Sequence, residues 1–172
     1  MVNQRTNSLV PDDSPVDDGL PGNPDSVKPA SAKDLRFGAM NILARREHSR
    51  KEVRDKLLRK FGPDAELLDV VLDQLVADDL LSDQRFSEAF VRWRVGKGQG
   101  PIRIRMELRE RGVDGDEAIN ECDVDWFALA GEVACKRFGT SSATDPKQRA
   151  KRMRFLQYRG FNGEQIRAAL ND

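Results

Sequence analysis

Three stretches of the chain read alike. They are Leu58-Arg-Lys-Phe-Gly62-Pro-Asp64-Ala-Glu66-Leu-Leu68, Leu108-Arg-Glu-Arg-Gly112-Val-Asp114-Gly-Asp116-Glu-Ala118 and Leu156-Gln-Tyr-Arg-Gly160-Phe-Asn162-Gly-Glu164-Gln-Ile166. They align without an internal gap, fifty and then forty-eight residues apart. Each slot has a physical task. The leucine is the last core contact of one helix. The glycine stands just past the helix end, where a left-handed backbone stops a helix at little steric cost. Asp64, Asp114 and Asn162 suit the N-cap of the next helix. Glu117 and Gln165 follow three residues later, at the partner position of a capping box. The echo continues at Leu72, Cys122 and Leu170, one helical turn beyond Leu68, Ala118 and Ile166.

Working outward, each signature closes a set of helices. Ser49 with Glu52 opens a helix that runs to Phe61. Gly100-Pro101 and Asp145-Pro146 open the equivalent helices, with proline at the favoured first helical position. A further helix precedes each of these, over Ala32 to Arg46, Asp83 to Val95 and Asp125 to Phe138. Their apolar sets are Leu35, Ala39, Ile42 and Leu43; Phe86, Ala89, Phe90 and Trp93; and Trp126, Leu129, Ala130 and Val133. No strand-like alternation of any length follows Ala32. The expectation is an all-α protein of three tandem three-helix, helix-turn-helix-like repeats over residues 32–81, 82–123 and 124–172. Repeats of this period form elongated arrays, straight or curved, in which each unit covers its neighbour's apolar face. Residues 1–31 hold five prolines and five aspartates and no aromatic residue, the composition of a disordered tail.

Composition removes several classes of function. Of 172 residues, 38% are apolar and 34% charged, and the mean hydropathy is −0.64. No apolar run approaches the ~18 residues of a membrane-spanning helix. Met1 to Thr6 carry no apolar core of a secretory signal, so a cytoplasmic protein is expected; a monomer is expected as well. Cys122 and Cys135 lack metal-type spacing and are expected as small buried residues. His48 is the only histidine, which leaves a metal site almost without ligands. The Gly96-Lys-Gly98-Gln-Gly100-Pro101 loop lacks the Lys-Ser/Thr and the preceding strand of a phosphate-binding loop. It reads as a flexible connector whose Gly100 caps the next helix. Trp93 and Trp126 fall on apolar faces. No catalytic constellation emerges, and no cofactor or metal is expected. The reading is a binding protein rather than an enzyme.

Formal net charge is zero, yet the charge is sorted along the chain. The middle helix of each unit lies in a basic stretch. Residues 136–159 hold eight Lys or Arg against Asp145 alone, whereas residues 64–88 hold eight carboxylates against Arg85 alone. Lys147, Lys151, Arg154 and Tyr158 fall at i, i+4, i+7 and i+11, one stripe of a helix. A basic stripe ending in an aromatic ring suits phosphate contact and base stacking.

The run Gly100-Pro-Ile-Arg103-Ile-Arg105-Met-Glu-Leu108-Arg-Glu-Arg-Gly112 resembles the middle repeat of RecX proteins. So do Leu80-Leu-Ser-Asp83-Gln-Arg85-Phe86 before it and Cys122-Asp-Val-Asp-Trp126-Phe-Ala-Leu-Ala130 after it. Ala44-Arg-Arg-Glu-His-Ser49 is similar to the family's first repeat, and Arg154-Phe-Leu-Gln-Tyr158-Arg-Gly160-Phe to its third. The resemblance spans about residues 33 to 170. It implies modular three-helix repeats that lie in the groove of the RecA filament on DNA. Such proteins lower RecA's ATPase, strand-exchange and coprotease activities, with consequences for recombination, DNA repair and the SOS response. The candidate contact residues for RecA or DNA are Arg103, Arg105 and Arg109 of the middle unit and Lys147, Lys151, Arg154 and Tyr158 of the last. Arg105 and Arg109 are i, i+4 neighbours pointing away from Ile104 and Leu108. Two other readings stand beside this one: a general nucleic-acid-binding helical-repeat protein without a RecA partner, and a protein-interaction scaffold.

Overall fold

The computed structural model describes residues 30–62, 65–140 and 145–170. Nine α-helices and no strand occur among the described residues. They are α1 (Ala32–Leu43), α2 (Arg50–Phe61), α3 (Ala65–Ala77), α4 (Asp83–Gly96), α5 (Pro101–Glu110), α6 (Asp116–Glu121), α7 (Trp126–Phe138), α8 (Pro146–Arg159) and α9 (Gly163–Ala169). Residues 1–29 of the expected tail lie outside the described residues, as does Asp64, the expected cap of α3. Ser31, at the tail's end, is the N-cap of α1 and forms a reciprocal capping box with Asp34.

The signature glycines all take positive φ; Gly160 is left-handed as expected, whereas Gly62, with ψ −174°, is not. Gly62, Gly112 and Gly160 have φ of +87°, +76° and +91°, a region L side chains avoid. Asn162 caps α9, and the Gln165 side chain accepts from the Asn162 N–H at 2.9 Å. The second unit departs from the pattern. Helix α6 begins at Asp116 with Gly115 as its N-cap, and Asp114 Oδ1 accepts from Asp116 N at 3.1 Å. Glu117 therefore falls one position too early for a capping box. The cause is a close approach: a Cβ on Gly115 would sit 2.1 Å from Leu108 Cδ1, so the turn here is pressed onto α5. Ser49 Oγ accepts from Glu52 N at 3.1 Å, but the Glu52 carboxylate turns to His48, Arg46 and Arg111.

Each unit closes its own apolar core. Leu35, Ala39, Val53, Leu57, Leu68, Val71, Leu72, Leu75 and Leu81 form the first. Phe86, Phe90, Val91, Ile104, Leu108, Val113, Ala118 and Ile119 form the second. Ala130, Ala134, Leu156, Phe161 and Ile166 form the third. Each fully buried leucine contributes roughly 1.5–3 kcal/mol. The expectation that neighbours cover one another's apolar faces is thus corrected. The stripes of all three helices in a unit converge on one centre, which leaves little apolar surface to share. Half-buried Trp126 of α7 is an exception and packs on the second core. Cys122 is half-buried against that core. Cys135 is exposed, because it lies on the side of α7 opposite Ala130 and Ala134.

The units meet instead through the ends of their middle helices. The N-terminus of α5 abuts the C-terminus of α8: Gly100 N donates to Arg159 O at 2.8 Å and Ile102 N to Gly160 O at 3.0 Å. Arg159 Nη1 returns a hydrogen bond to Lys97 O at 2.8 Å. The N-terminus of α2 meets the C-terminus of α5 in the same sense. Ser49 Oγ donates to Arg111 O at 2.8 Å and Lys51 Nζ to Glu110 O at 2.7 Å. Arg85 of α4 pairs with Glu47 at 3.0 Å, and Arg50 N donates to Asp83 Oδ1 at 2.7 Å. The Gly96–Pro101 connector, expected to be loose, is fixed by this docking. Its Gly100 amide is already satisfied by a carbonyl, which removes it as a phosphate cradle.

Gly100 is essential to that docking, because a Cβ there would lie 2.4 Å from Gly160 O. Gly100→Ala is expected to destabilise the protein by about 1–3 kcal/mol through overpacking against backbone. Gly131→Ala, in the interior of α7 with open space around it, is expected to stabilise by about 0.5–1 kcal/mol. Urea unfolding followed by helical circular dichroism reads both, and equal effects of the two would contradict the junction.

The first junction also holds a titrating pair. His48 is 2% exposed, and its Nδ1 lies 2.8 Å from Glu52 Oε2. Burial pushes the imidazole below its ordinary 6.5. Burial raises Glu52, but the His48 hydrogen bond and the Arg46 charge outweigh it and hold the carboxyl below 4.5. Folding thus favours neutral His48 donating to ionised Glu52. The His48 contribution is complete above pH 6.5 and is lost as pH falls from there toward its folded value. The Glu52 contribution is complete above 4.5 and is lost below it. Stability should therefore fall on acidification from pH 7. His48→Gln should cost about 1–3 kcal/mol at pH 7 and flatten the profile between pH 7 and 5. A mutant profile as steep as the parent's would exclude His48 as the group responsible.

Candidate functional site

The seven candidate contact residues separate into three environments. Arg103 belongs to the junction of the second and third units. Its Nε lies 3.0 Å from Glu107 Oε1, its Nη1 donates to Tyr158 O at 3.1 Å, and its guanidinium sits 4.8 Å from the Tyr158 ring centre. Tyr158 and then Glu107 hold that guanidinium above its ordinary value. Glu107 is buried and also faces Arg94 Nε at 2.6 Å. Arg103 is thus a joint of the fold that leaves the Tyr158 ring outside, 72% exposed.

Arg105 is half-exposed and paired with Asp116, whose carboxyl it holds below the ordinary value. That ion pair ties α5 to α6. Arg109 is exposed and makes no ion pair or hydrogen bond with its side chain among the described residues. It shares the outer face of α5 with Ile102 and Met106, which are 46% and 58% exposed. The i, i+4, i+7 spacing of these three was available in the sequence. The pair of apolar residues on an outer face is what a reading centred on charge passes over.

Lys147, Lys151, Arg154 and Tyr158 all lie on the exposed side of α8, opposite buried Leu156. Asp145 caps the helix through Lys147 N. The ammonium groups of Lys147 and Lys151 and the guanidinium of Arg154 have no counter-ion among the described residues. Like charges one turn apart destabilise a helix by about 0.2–0.5 kcal/mol per pair. Helix α8 contains six cations and no carboxylate.

The other middle helices differ in this respect. In the first unit, Arg50 pairs with Asp73 at 2.6 Å and Arg54 with Asp69 at 3.1 Å, both on α3. Lys51 lies 4.0 Å from Asp55 on its own helix. The alternation of basic and acidic stretches therefore has an internal use in the first two units, where the third helix pairs with Arg50 and Arg54 of α2 and with Arg105 of α5. The sequence alone could not separate this from a binding surface repeated three times.

A groove between α4 and α6 is lined by Asp83, Glu88, Asp114, Glu117 and Glu121. Among the described residues, no group of three or more His, Cys, Asp or Glu is placed to hold a metal ion. No described helix is long and apolar enough to cross a membrane.

Comparison with known proteins places this geometry. Models of the RecX first, second and third three-helix domains match residues 39–75, 82–119 and 123–170. The regulatory protein RecX of Halorhodospira halophila is 46% identical over 143 residues, covering 81% of this chain and 88% of that protein. The regulatory protein RecX of Pseudomonas entomophila is 45% identical over 135 residues, covering 77% and 86%. The crystal structure of RecX from Lactobacillus salivarius shares the fold with a TM-score of 0.69 at 22% identity, covering 81% of this chain and 94% of that one. Three matched domains in order, and identity above 40% along most of the chain, make this protein a member of the RecX family of regulatory proteins.

Proposed function

We propose that this protein binds the RecA–DNA filament in the cytoplasm and lowers RecA's ATPase, strand-exchange and coprotease activities. In this reading it regulates recombination and repair, and it acts by binding rather than by catalysis. The observation that carries the reading is the end-to-end docking of the middle helices in a chain of this family. It fixes three similar units in series, so their outer faces are offered at regular intervals to a partner that itself repeats. The α5 face with Ile102, Met106 and Arg109 supplies mixed apolar and cationic contact suited to protein. The α8 face supplies cations suited to phosphate. The second reading, a general nucleic-acid-binding protein, is favoured by the α8 face alone.

RecA ATPase on single-stranded DNA separates the two readings. A filament regulator inhibits at amounts well below RecA, whereas a competitor for DNA inhibits only when it saturates the strand. No inhibition at either amount would leave an interaction scaffold. Arg109→Glu should raise the concentration for half inhibition about fivefold, the equivalent of about 1 kcal/mol. Arg109 is the informative position because reversing Arg105 also breaks its pair with Asp116. Unchanged inhibition by folded Arg109→Glu would remove the α5 face from the contact.

A further inference from the structure

We infer that the outward face of α8 is the surface on which this protein holds a single nucleic-acid strand. Lys147, Lys151 and Arg154 meet consecutive phosphates there, and Tyr158 stacks on a base. Arg50, Arg54 and Arg105, each paired with an aspartate of its own unit, do not share this task. The inference deepens the regulator reading and rests on it only in naming nucleic acid among polyanions.

Three observations carry it. First, Lys147, Lys151 and Arg154 face solvent without a counter-ion among the described residues, whereas Arg50, Arg54 and Arg105 are each bound to an aspartate of their own unit. A cation already neutralised 2.6–3.1 Å away, as Arg50 and Arg54 are, must give up that pair before it meets a phosphate. Second, the spacing suits a strand. At about 1.5 Å rise per residue, Lys147 to Arg154 spans about 10 Å, and a single strand of a duplex carries a charge every ~3.4 Å along its axis. About three phosphate spacings thus fit the span, enough for each cation to meet a phosphate of its own. Third, the stripe ends on an aromatic ring held in place. Tyr158 O accepts from Arg103, whose guanidinium covers one side of the ring. A ring fixed in this way offers a stacking surface at little cost in side-chain freedom. Gly160 ends α8 two residues on and docks against α5, so the strand face stops where the second unit begins.

The test measures binding of the full-length protein to a fluorescent oligo(dT) strand across 50–200 mM salt. For a single strand, each phosphate contact contributes about 0.7 to the slope of log affinity against log salt. Lys147→Gln/Lys151→Gln/Arg154→Gln should reduce the slope by about 2, and Lys151→Gln alone by about 0.7. Tyr158→Ala should weaken binding about tenfold without changing the slope, and Tyr158→Phe should restore it. Arg54→Gln, which removes a cation paired within the first unit, should leave the slope unchanged. The single Lys151→Gln variant carries the same test if the triple variant loses helix content. An unchanged slope in the α8 variants overturns the inference, as does an equal loss in Arg54→Gln. Equal binding of a base-free polyphosphate chain, with no effect of Tyr158→Ala, would overturn the strand assignment. RecA ATPase run in parallel keeps the two readings apart. Slopes as stated with no effect on RecA would sink the regulator and keep the strand surface. Intact inhibition by a triple variant of unchanged slope would do the reverse.

Discussion

The polar groups at the ends of the middle helices constrain everything else in this molecule. An α-helix leaves four N–H groups and four carbonyls without partners inside itself. Here the orphan N–H groups of α5 meet the orphan carbonyls of α8, and Ser49, the N-cap of α2, and Lys51 meet those of α5. The ends that face each other carry opposite partial charge, so the helix dipoles favour the same arrangement. This docking needs backbone contact, which explains why glycine stands on both sides of the second junction. A Cβ on Gly160 would lie 2.4 Å from Arg103 Cβ, as one on Gly100 would from Gly160 O. Because the junctions are polar, each unit has to complete its own apolar core.

This division between apolar units and polar joints changes the meaning of the charge. Joints built from ion pairs and helix ends consume charged side chains. Glu47, Glu52, Arg85, Arg103, Glu107 and Arg111 are all engaged at or beside them. Pairs between the second and third helices consume more. What remains outward is therefore a small remainder of a very charged sequence. Its placement carries information that the totals do not.

The legible part of the fold was the part set by local chemistry. Positive φ at Gly62, Gly112 and Gly160, proline at the start of α5 and α8, and the Asn162–Gln165 box each depend on residues a few positions apart. The slipped cap at Gly115 was not legible, because it is imposed by Leu108 across the turn. Nor was the rigid connector at Gly100, whose partner Arg159 is 59 residues away in sequence. Of the candidate site, the α8 stripe could be read from its spacing alone, since no described residue of its own unit neutralises Lys147, Lys151 or Arg154. Arg103 and Arg105 could not be read, because their partners Tyr158 and Asp116 are supplied by a junction and by a short third helix. Exposed Cys135 shows the same limit: repetition located Cys122 near a core, but no repeat slot spoke for its neighbour in α7.

A chain of zero net charge that meets a polyanion needs its field to be local. At physiological salt the screening length is about 8 Å. The α2–α3 pairs, closed at 2.6 and 3.1 Å, are nearly neutral beyond that distance. Lys147, Lys151 and Arg154, which have no counter-ion among the described residues, are not. A strand approaching this protein would therefore meet its densest run of unpaired cations on α8, while the acidic groove between α4 and α6 would repel it. Such a field orients the molecule on a partner that combines protein with nucleic acid. In the proposed reading, the third unit would face the strand and the mixed apolar and cationic face of the second would meet protein. Orientation of this kind follows from charge placed asymmetrically on a repeated frame, and a uniformly basic array would lack it.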